Sequence, residues 1–111
     1  MMRPIQKIHI EIYTTQAGDA PFLKWLESFK DRTIRYRIKE RLDRMTLGNF
    51  GDYKPISDGV SELRLAFGAG YRIYFSQLKE KVVLLLYGGD KSTQKKDIKK
   101  AIVYWNDYLM R

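Results

Sequence analysis

The chain has 111 residues, of which 44% are hydrophobic and 14% aromatic, a composition that argues against disorder and suits one domain with its own core. The 21 Lys and Arg against 13 Asp and Glu give a net charge of +8, which favours a polyanionic partner, with nucleic acid as the leading candidate. A charge that only keeps the protein soluble is the less favoured interpretation. The lack of cysteine excludes disulfides and thiolate metal sites, and the single histidine argues against a histidine metal cage.

Nothing in the sequence predicts a membrane segment, a metal or a cofactor. No apolar stretch reaches the ~20 residues that a membrane-spanning helix needs. No apolar signal region follows Met1 to Pro4, so we expect a cytoplasmic protein. No linker or repeat interrupts the chain, so we expect a single domain over residues 1–111.

The first predicted element is a strand over residues 5–13. Ile8, Ile10 and Ile12 alternate there with polar residues, which is the pattern of a half-buried strand. His9 falls on the polar side of this strand, where a solvated residue is a better interpretation than a catalyst.

Two helices are predicted next. Asp19 is a candidate N-cap for a short amphipathic helix over residues 21–29, and Asp31 or Thr33 is the candidate cap of a longer helix that ends near residue 47. The longer helix is rich in arginine and lysine. These side chains form either a solvated face or a surface that attracts RNA electrostatically.

A loop and then a group of strands should follow. Gly51, Pro55 and Gly59 interrupt residues 49–59, which predicts a loop. Three apolar runs separated by tight turns then begin at Val60 and predict an antiparallel meander of three strands.

The first hairpin of the meander makes a geometric prediction. If Gly68–Gly70 forms its loop, Arg64 pairs with Tyr74 and Ala66 with Arg72. Arg64, Arg72 and Tyr74 then share one face. Because neighbouring like charges are unfavourable unless an anion lies between them, the two arginines predict that this face binds a phosphate. The opposite, core-facing set is Leu63, Leu65, Phe67, Tyr71, Ile73 and Phe75.

The last predicted helix follows the Gly88-Gly89 pair, with Ser92 or Thr93 as its cap. Its first turns are crowded with lysines, and cations at a helix N-terminus oppose the helix dipole, so an anionic partner would explain them. The predicted order is strand, helix, helix, strand, strand, strand, helix, which is an α+β fold.

Three segments of the chain are distinctive: RIKERLDRMTLGNFGDYKPI, GVSELRLAFGAGYRIYF and LLLYGGDKSTQKKDIKKA. They resemble the RelE/ParE superfamily of toxins from type II toxin–antitoxin modules, and within it the HigB-like branch of addiction module killer proteins. The resemblance implies a RelE-like fold, an antiparallel sheet in the order β-α-α-β-β-β-α with helices packed on one face. It also implies an mRNA endonuclease that inhibits translation on the ribosome, and a helix-turn-helix antitoxin of the HigA type as partner.

Endonucleases of this kind need no metal, because the ribose 2′-OH attacks the adjacent phosphate. By motif, the resemblance implies that Arg72 clamps the scissile phosphate, that Arg64 is a second basic catalytic residue and that Lys91 acts as acid or charge stabiliser. Asp97 stands where RelE toxins have a catalytic tyrosine, so an aromatic group would come from the sheet. The residues predicted to bind RNA are Lys54, Tyr74, Tyr87, Lys95 and Lys96.

Other interpretations of these residues stay open. Arg64 could form a surface ion pair with Glu62 or Asp90, Arg72 could be a stacked structural residue, and Lys91 could be a solvated loop residue. Because one fold hosts unrelated functions, two alternatives also stay open. One is a ParE-like inhibitor that binds DNA gyrase and cuts nothing, and the other is a catalytically inactive domain that binds only RNA or an antitoxin.

Overall fold

The computed structural model of the protein describes residues 7–111, which form five strands and three helices, so the predicted α+β class is confirmed. The strands are β1 (His9–Ile12), β2 (Tyr53–Ser57), β3 (Val60–Leu65), β4 (Tyr71–Lys79) and β5 (Val82–Asp90). The helices are α1 (Pro21–Glu27), α2 (Arg32–Thr46) and α3 (Gln94–Leu109), and a 3₁₀ turn over Lys91–Thr93 leads into α3. The start of the predicted first strand, Ile5 and Gln6, lies outside the described residues, as does the segment before it.

The five strands form one mixed sheet in the order β1-β5-β4-β3-β2. The β5–β4 and β4–β3 pairs are antiparallel, as predicted for the meander, and the β3–β2 pair is antiparallel as well, but β1 runs parallel to β5, with His9 opposite Val82. The prediction of a wholly antiparallel sheet is therefore wrong at this pair. Parallel neighbours need a long crossover connection, and here the connection includes two helices and three strands, a pairing that local sequence patterns do not encode.

Strand β2 occupies a segment that we predicted to be a loop, so the order of strands and helices along the chain is β-α-α-β-β-β-β-α. Tyr53–Ser57 pairs antiparallel with β3, with Lys54 opposite Glu62 and an irregularity after Pro55. A proline is tolerated here because β2 is the last strand in the sheet order formed by residues 7–111. Its exposed residues and proline gave the segment the composition of a loop.

Helices cover both faces of the sheet, and not one face as predicted. Helices α1 and α2 share one hydrophobic cluster with the sheet, and α3 shares a second cluster on the other side. Neighbouring residues of β5 alternate between the clusters, because Val83 and Leu85 join the first whereas Leu84 and Leu86 join the second. An unbroken apolar run in a strand is the signature of burial on both faces, and it was the sequence signal for this arrangement.

The hairpin of β3 and β4 is shifted by two residues from the predicted register. Leu65 pairs with Tyr71 and Arg64 with Arg72, so the connection is longer than the predicted loop. Phe67 leaves the ladder because its ring packs edge-on against Tyr71, with the centroids 5.3 Å apart. A shift of two residues keeps every side chain on its predicted face, so the predicted core face is confirmed.

The helix starts were partly predicted. Asp31 caps α2, where its Oδ1 atom accepts a 2.8 Å hydrogen bond from the Thr33 N–H. Asp19 does not cap α1, because Ala20 precedes that helix and the Asp19 N–H donates to the Thr15 hydroxyl. None of the helices in residues 7–111 combines the length and apolarity needed to cross a bilayer.

Candidate functional site

Five of the predicted site residues, Lys54, Arg64, Arg72, Tyr74 and Tyr87, lie in two neighbouring rows across the sheet, on the face that also carries α3. The first row is Lys54, Glu62, Tyr74 and Tyr87, on β2, β3, β4 and β5 in that order. The second row is Arg64, Arg72 and Gly89, on β3, β4 and β5. Residues two apart along a strand are ~7 Å apart, which is the separation of the two rows.

Arg72 is held in an ion pair with a buried carboxylate. Its Nη1 atom donates to Oε1 of Glu62 at 2.7 Å, and the two side chains are 13% and 0% exposed. Oε2 of Glu62 accepts a second hydrogen bond, at 2.8 Å, from Nε2 of Gln94 at the start of α3. Glu62 therefore orients Arg72, offsets its charge and joins the sheet to the helix.

Arg64 lies directly opposite Arg72 and is more exposed. Its Nη2 atom is 3.1 Å from Oδ1 of Asp52, in a pair whose side chains are 39% and 58% exposed. An exposed pair of this kind contributes only ~0–1 kcal/mol. Among the described residues, the Nε atoms of both Arg64 and Arg72 lack a hydrogen-bond partner. The two arginines thus keep donors that the described part of the chain does not satisfy.

Arg41 of α2 positions the backbone that carries Arg64. Its Nη1 atom donates to the carbonyl oxygen of Arg64 at 2.6 Å, and Nη2 donates to those of Phe50 and Asp52, each at 2.9 Å. Gly51 has a φ of +64°, and a Cβ there would lie 2.7 Å from Nη2 of Arg41. Burial lowers the pKa of Arg41, with Arg44 as a further cause.

Lys91 lies beyond the end of β5, and we call the end of the sheet that carries Arg64, Arg72 and Lys91 the cationic end. It is exposed, and its backbone N–H donates to the carbonyl oxygen of Ala69 at 3.4 Å. Since Gly89 is the β5 partner of Arg72, Lys91 follows that row by two residues. A groove of about 410 Å³ opens at the start of α3, and its lining residues are Lys91, Ser92, Thr93, Gln94, Lys95 and Lys96.

Tyr74, which we predicted to bind RNA, is buried under α3. It is 0% exposed and shares the second hydrophobic cluster with Ala101 and Trp105 of that helix. Its hydroxyl has no hydrogen-bond partner among residues 7–111. Burial, followed by the carboxylates of Glu62 and Asp97, raises the pKa of Tyr74, so the phenol stays protonated. The prediction is wrong for this residue, because the meander face that we took to be open is covered.

The Gly88-Gly89 pair is explained by contacts from the two helical layers. A Cβ on Gly88 would overlap the Trp25 ring, and a Cβ on Gly89 would overlap the Asp97 carboxylate. Asp97 is buried and accepts a hydrogen bond from the Thr93 hydroxyl. Burial raises the pKa of Asp97. Asp97 therefore packs on the sheet backbone, beside the row of Arg72.

The predicted catalytic residues Arg64, Arg72 and Lys91 come together at one end of the sheet. Lys54 is exposed in the row of Glu62, and Lys95 and Lys96 are exposed in the first turn of α3. Tyr87 is half-buried one row away, against the flank of α3. No group of three His, Asp or Glu residues suited to a metal ion occurs within residues 7–111.

Four residues that organise this site were not among the predicted site residues: Arg41, Asp52, Glu62 and Gln94. The alternation of β3 places Glu62 on the face of Arg72, and an acidic residue beside two arginines was a usable signal. The contacts of Arg41 depend on how α2 packs against the loop that follows it and against β3. No local sequence pattern indicates that packing.

Comparison with known proteins gives a relative but no function. No family model matches the chain. An uncharacterized protein of Haemophilus influenzae is 46% identical to it over 92 residues, which are 83% of this chain and 89% of that protein. The chain belongs to the same protein family as this Haemophilus influenzae protein.

Proposed function

We propose that the protein is the toxin of a type II toxin–antitoxin module, of the RelE/ParE type and the HigB-like branch, and that it cuts mRNA on the translating ribosome in the cytoplasm. The observation that carries the proposal is the direct pairing of Arg64 with Arg72, beside the exposed Lys91. Cations preorganised around one point stabilise the charge that develops on a reacting phosphate. The net charge of +8 supports binding to a polyanion.

In the proposed reaction the 2′-oxygen attacks the adjacent phosphorus and its proton passes to solvent. The bond from phosphorus to the 5′-oxygen breaks, and the Lys91 ammonium gives a proton to that oxygen. The products are a 2′,3′-cyclic phosphate and a 5′-hydroxyl. Arg64 and Arg72 contact the non-bridging oxygens, where negative charge grows, and Glu62 holds Arg72 in position.

The proposed partners follow from the same surface. Lys54, Lys95 and Lys96 are exposed around the arginines and would contact phosphates on either side of the cut. A helix-turn-helix antitoxin of the HigA type would neutralise the toxin by covering this cationic end with an acidic segment.

One observation favours a second function, a ParE-like inhibitor that binds DNA gyrase and cuts nothing. The arginine expected to clamp the phosphate is already neutralised by the buried Glu62. A purely structural Arg72 would leave the surface suited to protein contact.

Primer extension on an mRNA in a purified translation reaction tests the proposal. We expect new 5′ ends that require ribosomes, and Arg64→Ala should lower cutting by roughly 10²–10³-fold, the usual effect of losing one charge-stabilising donor. Lys91→Ala should lower it as well, whereas Lys30→Ala, an exposed lysine on the connection between α1 and α2, should not. Arg72→Lys is preferable to Arg72→Ala because it leaves a cation beside Glu62.

Two results would reject the proposal. Unchanged cutting by Arg64→Ala would show that these arginines are not the site, and cutting without ribosomes would reject the requirement for translation. A DNA supercoiling assay with purified gyrase completes the comparison. Inhibition of gyrase together with no RNA cutting would establish the second function instead.

A further inference from the structure

A second groove, which we call the aromatic groove, lies between α1, β5 and α3. It has a volume of about 360 Å³, and three half-buried aromatic rings, of Trp25, Tyr87 and Tyr104, form its apolar part. The Tyr87 and Tyr104 rings meet nearly at right angles, at 81°, with centroids 5.8 Å apart. One face of the Tyr104 ring is stacked on Tyr13, so a planar group would stack on the ring faces that remain open at this corner.

The charged groups at this groove are mainly cationic. The exposed lysines Lys24 and Lys100 line it together with one carboxylate, that of Asp19. The Lys100 ammonium lies 5.5 Å from the centre of the Tyr87 ring. Aromatic rings beside mobile cations are the combination that binds single-stranded nucleic acid, because bases stack on the rings and phosphates pair with the cations.

The aromatic groove lies close to the proposed catalytic end along β5 and along one flank of α3. Tyr87 precedes Gly89, the partner of Arg72, by two residues on β5, which is ~7 Å along the strand. On α3, Lys96, Lys100 and Tyr104 are spaced by four residues and therefore share one flank. Lys96 lines the groove at the start of α3, and Lys100 and Tyr104 line the aromatic groove.

From this geometry we propose that the aromatic groove holds a nucleobase of single-stranded RNA next to the scissile phosphate. The base stacks on the Tyr87–Tyr104 corner, and Lys24 and Lys100 contact the phosphates that flank it. The proposal rests on the proposed function, since it takes the RNA bound at Arg64 and Arg72 and extends it by one base.

Fluorescence anisotropy with a cleavage-resistant RNA tests the groove without relying on catalysis. The probe is a labelled, unstructured 2′-O-methyl oligonucleotide of about 12 nucleotides, within the site sizes of single-strand-binding folds. We expect the Lys24→Ala/Lys100→Ala variant to bind it at least fivefold more weakly than the wild type. Tyr87→Leu, which keeps an apolar side chain but removes the ring, should weaken binding by a similar factor, the effect of losing one base stack.

The matched control removes the same charge elsewhere. Lys30→Ala/Lys99→Ala takes away two exposed lysines, one on the connection after α1 and one on the solvent-facing side of α3, and it should lower the affinity by less than twofold. Equal losses in the two double variants, or no loss in either, would overturn the proposal. Thermal unfolding of Tyr87→Leu shows whether that variant folds, and the lysine variants decide the question if it does not.

The two proposals fail separately. Absence of mRNA cutting in the translation reaction rejects the nuclease but leaves the binding result intact. Normal cutting with unchanged RNA affinity of the groove variants rejects the aromatic groove alone. In that case a competition experiment, with an acidic peptide that contains an aromatic residue, tests the groove as a contact for a protein partner.

Discussion

The guanidinium of Arg72 and the carboxylate of Glu62 form a 2.7 Å ion pair in which the Glu62 side chain is fully buried. The side chain of Gln94, in the first turn of α3, donates a hydrogen bond to the other oxygen of this carboxylate. The pair therefore does two things: it fixes the arginine of the proposed site, and it attaches the last helix to the centre of the sheet.

Removal of one partner of this pair should be far more harmful than removal of both. Arg72→Gln leaves the Glu62 charge buried without a cation, and we expect a loss of about 3–5 kcal/mol in the free energy of unfolding. The Arg72→Gln/Glu62→Gln variant should recover most of this loss, because no unpaired buried charge remains. Urea denaturation near neutral pH measures both. Arg64→Gln, which breaks an exposed pair, is the control and should cost no more than about 1 kcal/mol; strictly additive effects of the two Gln substitutions would contradict this account.

Arg41 should be structural even though it belongs to a basic helix. Arg41→Met keeps most of the aliphatic side chain and removes hydrogen bonds to three carbonyl groups, so we expect a loss of about 3 kcal/mol. Arg44→Met, an exposed arginine on the same helix, should change stability by less than about 0.5 kcal/mol. Hydrogen exchange gives a local measure: the Arg64 amide, bonded to the Asp52 carbonyl, should exchange faster in Arg41→Met. Equal protection in the two variants would show that Arg41 does not hold this backbone.

Gly89 and Asp97 should show strong energetic coupling. Gly89→Ala places a methyl group against the Asp97 carboxylate, and we expect a loss of about 1–3 kcal/mol from overpacking. Gly89→Ala/Asp97→Ala makes room for the methyl group and removes a carboxylate whose pKa burial raises, so the double variant should be more stable than Gly89→Ala alone. Thermal unfolding of the two single variants and the double variant completes the cycle. A double variant less stable than both singles would rule out the steric explanation.

Alkaline pH should weaken the contact between the end of β1 and the end of α3. Burial, reinforced by the hydrogen bond to Asp107, raises the pKa of Tyr13 to about 12 from 10.0. Between these values the unfolded chain has lost the phenol proton and the folded chain keeps it, so stability falls as the pH rises from about 10 to 12. Tyr13→Phe removes this contribution and should show a shallower decline. Denaturation at a series of alkaline pH values measures the two slopes, and identical slopes would refute the assignment.

The side-chain faces of the central hairpin were predictable even though its register was not. Alternation has a period of two, so a register error of two residues left Leu65 and Ile73 in the core and Arg64 and Arg72 on the other face. The register error arose because Phe67 packs on the core instead of continuing the ladder. Its ring contacts the Tyr71 ring and the Arg37 guanidinium of α2, and the sequence pattern does not indicate these contacts.

Other features depended on contacts that local patterns do not contain. The sequence of α3 did not indicate which face of the sheet this helix meets, and only the unbroken apolar run of β5 pointed to two covered faces. At the site, the sequence indicated which residues bring positive charge. It did not indicate which carboxylates neutralise them, because Glu62 and Asp52 are selected by side-chain geometry and by the packing of α3 and α2.

The parallel pairing of β1 with β5 has a consequence for the synthesis of the protein. His9 finds its partner at Val82, so β1 cannot join the sheet until β5 has emerged from the ribosomal exit tunnel. During most of translation the isoleucines of β1 are without the strand that covers them. The nascent chain therefore exposes an apolar segment early and completes its sheet late. We expect chaperones to bind this segment, and we expect the folding rate to be limited by closure of the long connection between β1 and β5.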